Sequence, residues 1–553
     1  MKRRAISIFT AIVCVACLCM CIPTAHAVNV RQSSSPAGGG MSHSIALKRD
    51  GTVWTWGSNQ QFQLGLDEEV TEISTPTQVE GVSSVVSVAA GYDFSVALRF
   101  DGRVFTWGNG INAPPRVTSG LSGVVAITAG QTDILALTID GTVWQWTVGT
   151  RPKQVPLLDH ISAISAGGTH YLALTVSGDV WSWGTNSSGQ LGIGTVVNQD
   201  VPMKVDDLYN IIDIAAGYSH SLAVSMDGAV FSWGANSFGQ LGDGTTDLSM
   251  SPVQVAQIKN ATHVSAGNET SMALTKDGKL YTWGYGEYGQ LAQANTLISQ
   301  STPKLVETSS DPAFLASGVY HNFFVNNDGD LYVWGRNRNK QLGTSQESNA
   351  MSPIKVLTLV ASSEEYTTDG LKDASDWAKN ELTDLYKLSI VPPIYWDMFT
   401  TNAIRAEFAS LLASAYEQIK KTTVTYPEST SFTDIGNSIW EVNIRKAHQL
   451  EFIEGVSPYR FNPNGSITRQ EAAKMICSFV AKMQNTPMPD KFQNLLFYSD
   501  ASQIAEWAVP FVSYAYENDI MKGTGKRFDP LGNLTREQML AMLYRIIVKY
   551  EWI

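Results

Sequence analysis

Cysteine is almost absent from this chain once its first 27 residues are set aside. Four of the five, Cys14, Cys17, Cys19 and Cys21, crowd into that segment, and only Cys477 remains. A single thiol closes no internal disulfide, so the fold must rest on its core, which a chain of 553 residues is long enough to build. Long apolar runs are missing beyond Ile22, so no later segment reads as a membrane-spanning helix. Positive charge is scarce too. Without Lys2, Arg3 and Arg4, the Lys+Arg count falls from 39 to 36 against 51 Asp+Glu, a net charge of −15. Such a surface repels nucleic acid and acidic polymers unless positive groups are placed locally. No paired carboxylates, nucleophile motif or metal-ligand cluster recurs outside the structural repeats, which argues against an enzyme and implies no cofactor or metal.

The segment that holds most of the cysteines has a function of its own. Lys2, Arg3 and Arg4 precede an apolar run from Ala5 to Ile22, followed by Pro23, Thr24, Ala25, His26 and Ala27. This is the pattern of an export signal with an Ala-x-Ala cleavage site, so residues 1–27 are expected to be removed, leaving a secreted chain with no membrane segment. Secretion without disulfides fits a bacterial exterior.

Glycine and tryptophan recur on a fixed spacing. Glycines stand at Gly40, Gly91, Gly130, Gly167, Gly217, Gly267 and Gly318, and each is followed eleven residues later by another, from Gly51 to Gly329. Five residues further on comes a tryptophan: Trp56, Trp107, Trp146, Trp183, Trp233, Trp283 and Trp334. Within "HSIALKRDGTVWTWG" an apolar run around Ile45 meets Asp50-Gly51 and then Val53 to Trp56, which reads as a hairpin. With further strands from segments such as "VVSVAAG" and "TPTQV", each unit of 37 to 51 residues supplies about four short strands, enough for one blade of a propeller. One blade buries neither face by itself, so seven must stack and close.

The unit "AAGYSHSLAVSMDGAVFSWGANSFGQLGDG" resembles the repeat of the regulator of chromosome condensation family. The resemblance implies a mainly β fold, a seven-bladed β-propeller over residues 28–356. It does not carry function equally far, because propellers are platforms reused for unrelated tasks. Nucleotide exchange on a nuclear GTPase is not open to an exported acidic protein. Exported bacterial relatives include a protein inhibitor of β-lactamases, so the resemblance is compatible with an unidentified extracellular protein or ligand bound on one face of the ring.

Four repeats carry a histidine three residues after the first glycine, His43, His170, His220 and His321, where the others have Phe94, Asp133 and Thr270. Equivalent positions fall on different blades, so each histidine is expected to satisfy groups in its own unit instead of joining a metal site. Five units also hold a "QLG"-like element, from Gln63-Leu64-Gly65 to Gln341-Leu342-Gly343; the second and third units lack it and are shortest. Their short connections, Ile111 to Pro115 and Thr147 to Pro152, mark an uneven rim where a partner is expected to dock.

After a linker at 357–369 the periodicity becomes helical, and a second repeat begins. Three modules, 370–425, 432–482 and 497–553, each contain an aspartate, a tryptophan and an arginine that opens a helix. These are Asp373, Trp377 and Arg405; Asp434, Trp440 and Arg469; Asp500, Trp507 and Arg536. Thr468 with Glu471, and Thr535 with Gln538, form capping boxes. An arginine beside first-turn N–H groups makes a site for an anion, above all a carboxylate. "FTDIGNSIWEVNIRKAHQLEFIEGVSPYRFNPNGSITRQEAAKMICSF" and its counterpart from Tyr498 resemble surface-layer homology modules. That resemblance implies a helical three-module bundle that binds pyruvylated secondary cell-wall polysaccharide. By the resemblance Arg469 and Arg536 are the carboxylate ligands, supported by Asp434, Asp500, Trp440 and Trp507. Module one departs from the pattern, with Ile404 before Arg405 and a loop two residues shorter, so the site of Arg405 is expected to be weak or purely structural.

The whole reads as a non-enzymatic protein at the bacterial cell wall or surface layer, anchored by its C-terminal modules and displaying a ring. The alternatives are a structural surface-layer component and a wall-polymer hydrolase with its site on the propeller.

Overall fold

A computed structural model describes residues 35–66, 69–109, 111–293, 298–359, 371, 374–388, 390–391, 395, 399–422, 424–426, 430–435, 440–487, 498–523 and 525–552. The export segment and Asp373 therefore lie outside the described residues.

Residues 37–358 form seven four-stranded antiparallel sheets, β1–β4 (Ala37–Gln78), β5–β8 (Val85–Val117), β9–β12 (Val124–Gln154), β13–β16 (Ile161–Lys204), β17–β20 (Ile211–Gln254), β21–β24 (Ala261–Leu305) and β25–β28 (Ala350–Thr358 being β28, after β25 at Pro312). Each is a meander whose strands pair in sequence order, as the Asp-Gly hairpins require. The seven-bladed propeller expected from the repeat is the fold. Blade three's outer strand, β12, has only two residues, Lys153 and Gln154.

The blades are stacked through apolar clusters that mix two neighbours. Ile45, Leu47, Val53 and Val79 of blade one meet Val85, Ala97, Phe105 and Trp107 of blade two in one such cluster. Polar tethers then set the register. The backbone carbonyl of Gln63 accepts from Trp107 Nε1 at 3.0 Å and from Ser95 Oγ at 2.8 Å, both on the following blade. Gln190, Gln240 and Gln290 repeat the arrangement with Trp233, Trp283 and Trp334. Gln341 of blade seven does the same for Trp56 and Ser44 of blade one, and so closes the ring. In four of these elements a glycine lies under the next blade's indole at positive φ, and a Cβ on Gly192 would sit 2.7 Å from Trp233 Nε1; blade six has Ala292 instead.

The four histidines are fully buried, each with Nε2 on a neighbouring blade's serine: His43 on Ser95, His170 on Ser221, His220 on Ser271 and His321 on Ser44, at 2.8–3.0 Å. The expectation that they serve their own units is corrected in this respect, since the partner is on the next blade. Burial pushes the imidazoles down, to about 3 for His43, His170 and His321 and about 4 for His220.

Where the "QLG" element is missing, a different network replaces it. Trp183 donates to Gln145 Oε1 of blade three at 2.9 Å. Tyr171, standing where other blades have the tethered serine, donates to Asp133 Oδ2 at 2.5 Å, and Asp133 also accepts from Thr147 and Gln145. Blade three thus keeps the contact with blade four by other means, and Asp133 takes the place of a histidine to do so.

C-terminal to the ring lie six α-helices among the described residues: α1 (Lys379–Lys387), α2 (Arg405–Lys420), α3 (Glu441–Gln449), α4 (Arg469–Gln484), α5 (Val509–Glu517) and α6 (Arg536–Tyr550). They share one apolar core, with Leu382, Phe408, Ile444, Phe479, Val512 and Leu543 all buried. No helix of the described residues is long and apolar enough to cross a membrane.

Candidate functional site

The three longer helices, α2, α4 and α6, each begin with one of the arginines singled out in sequence. Ahead of each start, short bridges link the modules: Ile404 to Ser466, Thr468 to Asn533, and Thr535 to Asn402. Each helix start therefore leans on the loop of the next module, with the third returning to the first. The backbone shows the same cycle. Arg405 N donates to Gly465 O, Arg469 N to Gly532 O and Arg536 N to Thr401 O, at 2.9–3.0 Å. These amides are consequently spent inside the protein. The expectation that first-turn N–H groups receive an anion is corrected, since carbonyls of the neighbouring module take them.

Asp434 and Asp500 build the loops that receive the arginines. Asp434 accepts from Phe461 N and Asn462 N at 2.8 Å each, and Asp500 from Phe528 N and Asp529 N at 2.9 and 2.8 Å. Burial works against both carboxylates, yet these amide bonds hold them below the usual aspartate range. The loops in turn offer carbonyls to the arginines. Arg405 Nε donates to Phe461 O and Arg469 Nε to Phe528 O, both at 2.9 Å, and each guanidinium lies over the phenylalanine ring, 5.0 and 5.1 Å from its centroid.

The three arginines then diverge. Arg405 donates Nη1 to Glu471 Oε1 at 2.6 Å, and Nη2 to Glu454 O at 3.2 Å. It is 6% exposed. Arg536 has Glu407 Oε1 at 3.8 Å from Nε and is 2% exposed. Glu471 and Glu407 are the third helical residues of their modules, and each has its other carboxylate oxygen on the backbone N–H at the helix start, Thr468 N at 2.9 Å and Ile404 N at 3.0 Å. In module three this residue is Gln538, whose Oε1 accepts from Thr535 N at 3.3 Å. An amide has no second carboxylate oxygen to give. Arg469 accordingly has no carboxylate within 4.0 Å among the described residues, and it is half-buried where the other two are closed in. Its Nη2 donates to Lys522 O at 2.8 Å.

The tryptophans do not pair with the arginine of their own module. Trp440 is buried against Tyr395 and against Phe100 of the propeller, with ring centroids 6.0 and 5.8 Å apart. Phe100 also lies under Arg536, 5.6 Å from its guanidinium carbon, so Trp440 belongs with the arginine of module three. Trp507 is 47% exposed, with Lys474 Nζ 5.7 Å from its ring, and Trp377 packs beneath Arg545. Sequence reasoning missed Glu407, Glu471 and Gln538 as neighbours of the arginines, having read Glu471 and Gln538 only as caps, and it missed Phe100 altogether.

At the far end of the ring from this contact lies the mouth of the central channel. Gly39, Gly91, Gly130, Gly167, Gly217 and Gly318 line a cavity of about 90 Å³. A chain of backbone hydrogen bonds passes round it, including Gln131 N to Gly168 O and Tyr218 N to Gly267 O. A Cβ on Gly167 would stand 2.1 Å from Gly217 O, which is why the repeat demands glycine there. Tyr92 and Tyr218 stack over the mouth at 6.2 Å, and Arg336 lies between Tyr288 and Tyr320, 5.3 and 5.1 Å from their ring centroids. Asp93 and Glu269, both half-buried beside them, are raised by burial.

A closed ring of seven such blades with a helical three-module bundle behind it defines a propeller protein with a surface-anchoring module. The RCC1-like domain model matches residues 22–310 and 147–369, more than half of the chain, and the chain belongs to that family. The S-layer homology domain matches at 431–473 and 497–540. These domains mark a bacterial cell-surface protein, and both families are typically non-catalytic. Among solved structures, yeast Prp20 bound to Kap60 is similar with a TM-score of 0.51 at 20% identity, covering 65% of this chain and 90% of that one. Protein pim1 of Schizosaccharomyces pombe is 36% identical over 87 residues, 13% of this chain and 16% of its own. An endoglucanase of Bacillus sp. is 26% identical over 32% of this chain and 18% of its own, and an amylopullulanase of Thermoanaerobacterium thermosulfurigenes 29% over 33% and 10%. The chain spans at most a fifth of the length of the curated relatives it matches.

Proposed function

We propose that this protein is exported, holds pyruvylated secondary cell-wall polysaccharide through its C-terminal modules without chemistry of its own, and displays the propeller to bind an extracellular protein. Arg469 carries the first part of the reading. It is a half-buried guanidinium, fixed over Phe528 by two backbone carbonyls, with no carboxylate within 4.0 Å among the described residues where its two counterparts have one. A fixed guanidinium with no carboxylate in direct contact, and only the more distant charges of Asp529 and Asp500 near it, suits a ligand carboxylate such as that of a pyruvate ketal. Asp500 serves by holding the Phe528 loop, and Asp434 does the same for the Arg405 loop. Trp440 and Trp507 line the neighbouring module junctions.

For the ring, the supporting feature is the tyrosine and arginine surface around the channel mouth, since these residue types dominate the energetics of protein interfaces. It lies at the end of β6 (Phe94–Arg99) opposite to the anchor contact, about 20 Å away by strand rise, and so points away from the wall. The test is co-sedimentation of residues 28–553 with sacculi that retain or lack the polysaccharide. Binding that needs the polysaccharide and is lost in Arg469→Ala supports the reading. Equal binding to stripped sacculi refutes it.

A further inference from the structure

The anchor has three equivalent junctions, and the propeller reaches into one of them. Phe100 sits at the turn after β6, next to Asp101-Gly102, with its N–H on Ser84 O at 3.1 Å. Arg99 is paired with Asp101 inside the same turn, which stiffens it. The phenyl ring projects from this turn into the helical core, between Trp440 at 5.8 Å and the Arg536 guanidinium at 5.6 Å. Among the described residues of the propeller, Phe100 alone packs against that core. The other blades carry nothing comparable at this position, as their sequences there read Arg49, Ile139, Val176, Met226, Lys276 and Asn327.

We propose that Phe100 is a built-in occupant of the Arg536 junction, so that the anchor offers the polymer the Arg469 junction alone and the propeller stays docked with its tyrosine mouth outward. Resting on the carbohydrate-binding reading above, this assigns the three junctions separate fates. The Arg405 junction is closed by Glu471, the Arg536 junction is filled by the propeller with Glu407 behind it, and the Arg469 junction is open. An aromatic ring against an indole and a guanidinium occupies the surfaces on which a sugar ring and its carboxylate would otherwise rest. A polymer chain that enters the third junction must first displace the blade-two turn.

Two measurements on residues 28–553 test this. Calorimetric titration with a synthetic hexosamine bearing a pyruvate ketal, and with the same sugar lacking it, reads the open sites. One site per chain is expected, lost by at least tenfold in affinity in Arg469→Ala. Phe100→Ala combined with Glu407→Gln, which removes the carboxylate behind the ring as well, is expected to show a second site that survives Arg469→Ala. Two sites in the unaltered chain, or a single site in the Phe100→Ala and Glu407→Gln double variant, overturns the proposal. Hydrogen exchange reads the docking without any ligand: Phe100→Ala should speed exchange at least tenfold in the peptides around Trp440 and Arg536. Unchanged exchange there means that the turn does not fill the junction and also overturns it. If no sugar binds while exchange responds to Phe100, the carbohydrate reading fails and the docking stands.

Discussion

Four neutral histidines sealed between blades make the propeller sensitive to mild acid. Each is uncharged when folded, because burial pushes it from an ordinary 6.5 to about 3 or 4. The unfolded chain therefore takes up more protons than the folded one throughout that window, so stability is fully present above pH 6.5 and is lost as pH falls toward 4. One unit below 6.5 each histidine removes about 1.4 kcal/mol, and the four together about 5–6 kcal/mol, comparable to the whole stability of a typical domain. Asp93 and Glu269, raised by burial, act in the opposite direction as they protonate, so a variant is needed to isolate the histidines. His220→Phe copies the residue that blade two carries naturally as Phe94, and leaves Ser271 its bond to Gln240 O at 2.7 Å. Urea unfolding at pH 7.5, 6.5 and 5.5, followed by tryptophan fluorescence, should show the parent losing most of its stability at the lowest pH and the variant losing about a quarter less. The same pH slope in both proteins would refute the account.

Three further outcomes follow from individual contacts. Ala292 replaces the glycine of the tether element in blade six and holds φ of 51°, so Ala292→Gly should raise stability by about 0.5–1 kcal/mol in the same urea assay. Asp500→Ala frees the N–H groups of Phe528 and Asp529, and should cost about 3–5 kcal/mol of anchor stability by thermal melting, with Asp500→Asn recovering part of it. Cys477 is buried and its thiol is pushed far up by that burial, so a soluble thiol reagent should label it only after unfolding; prompt labelling of the native chain would contradict the packing.

Much of the ring was legible because its repeat encodes contacts that recur at fixed sequence distance. The Asp-Gly turn, the tryptophan five residues on and the glycine at the channel all lie within one blade, and spacing reports on covalent neighbours. What joins blade to blade was only half visible. Gln63 could be seen as part of a motif, but its bond runs from the backbone carbonyl, which every residue has, to Trp107 and Ser95 in the next unit. The histidines were assigned to their own blades for the same reason. Asp133 and Tyr171 looked like drift in a repeat, whereas they are two halves of one substitute contact.

The anchor shows this limit more sharply, because its functional groupings cut across the modules. Sequence places Trp440 with Arg469, both in module two, yet Trp440 shares Phe100 with Arg536, while Arg469 rests on the loop of module three. A three-module ring closed through loop contacts makes each junction from parts of different modules, and no spacing within a module states which parts meet. The information that separates the junctions was nevertheless in the sequence, as Glu407, Glu471 and Gln538 at the third position of their helices. Each serves its own helix start through one oxygen, which is all that a capping motif reveals. Only when the preceding module's arginine is brought alongside does the second oxygen of a glutamate matter. At Glu471 and Glu407 that oxygen faces an arginine, at 2.6 and 3.8 Å, and Gln538 has none to offer Arg469. A change of one atom in a helix cap thus goes with an Arg469 that has no carboxylate within 4.0 Å among the described residues, unlike its two counterparts.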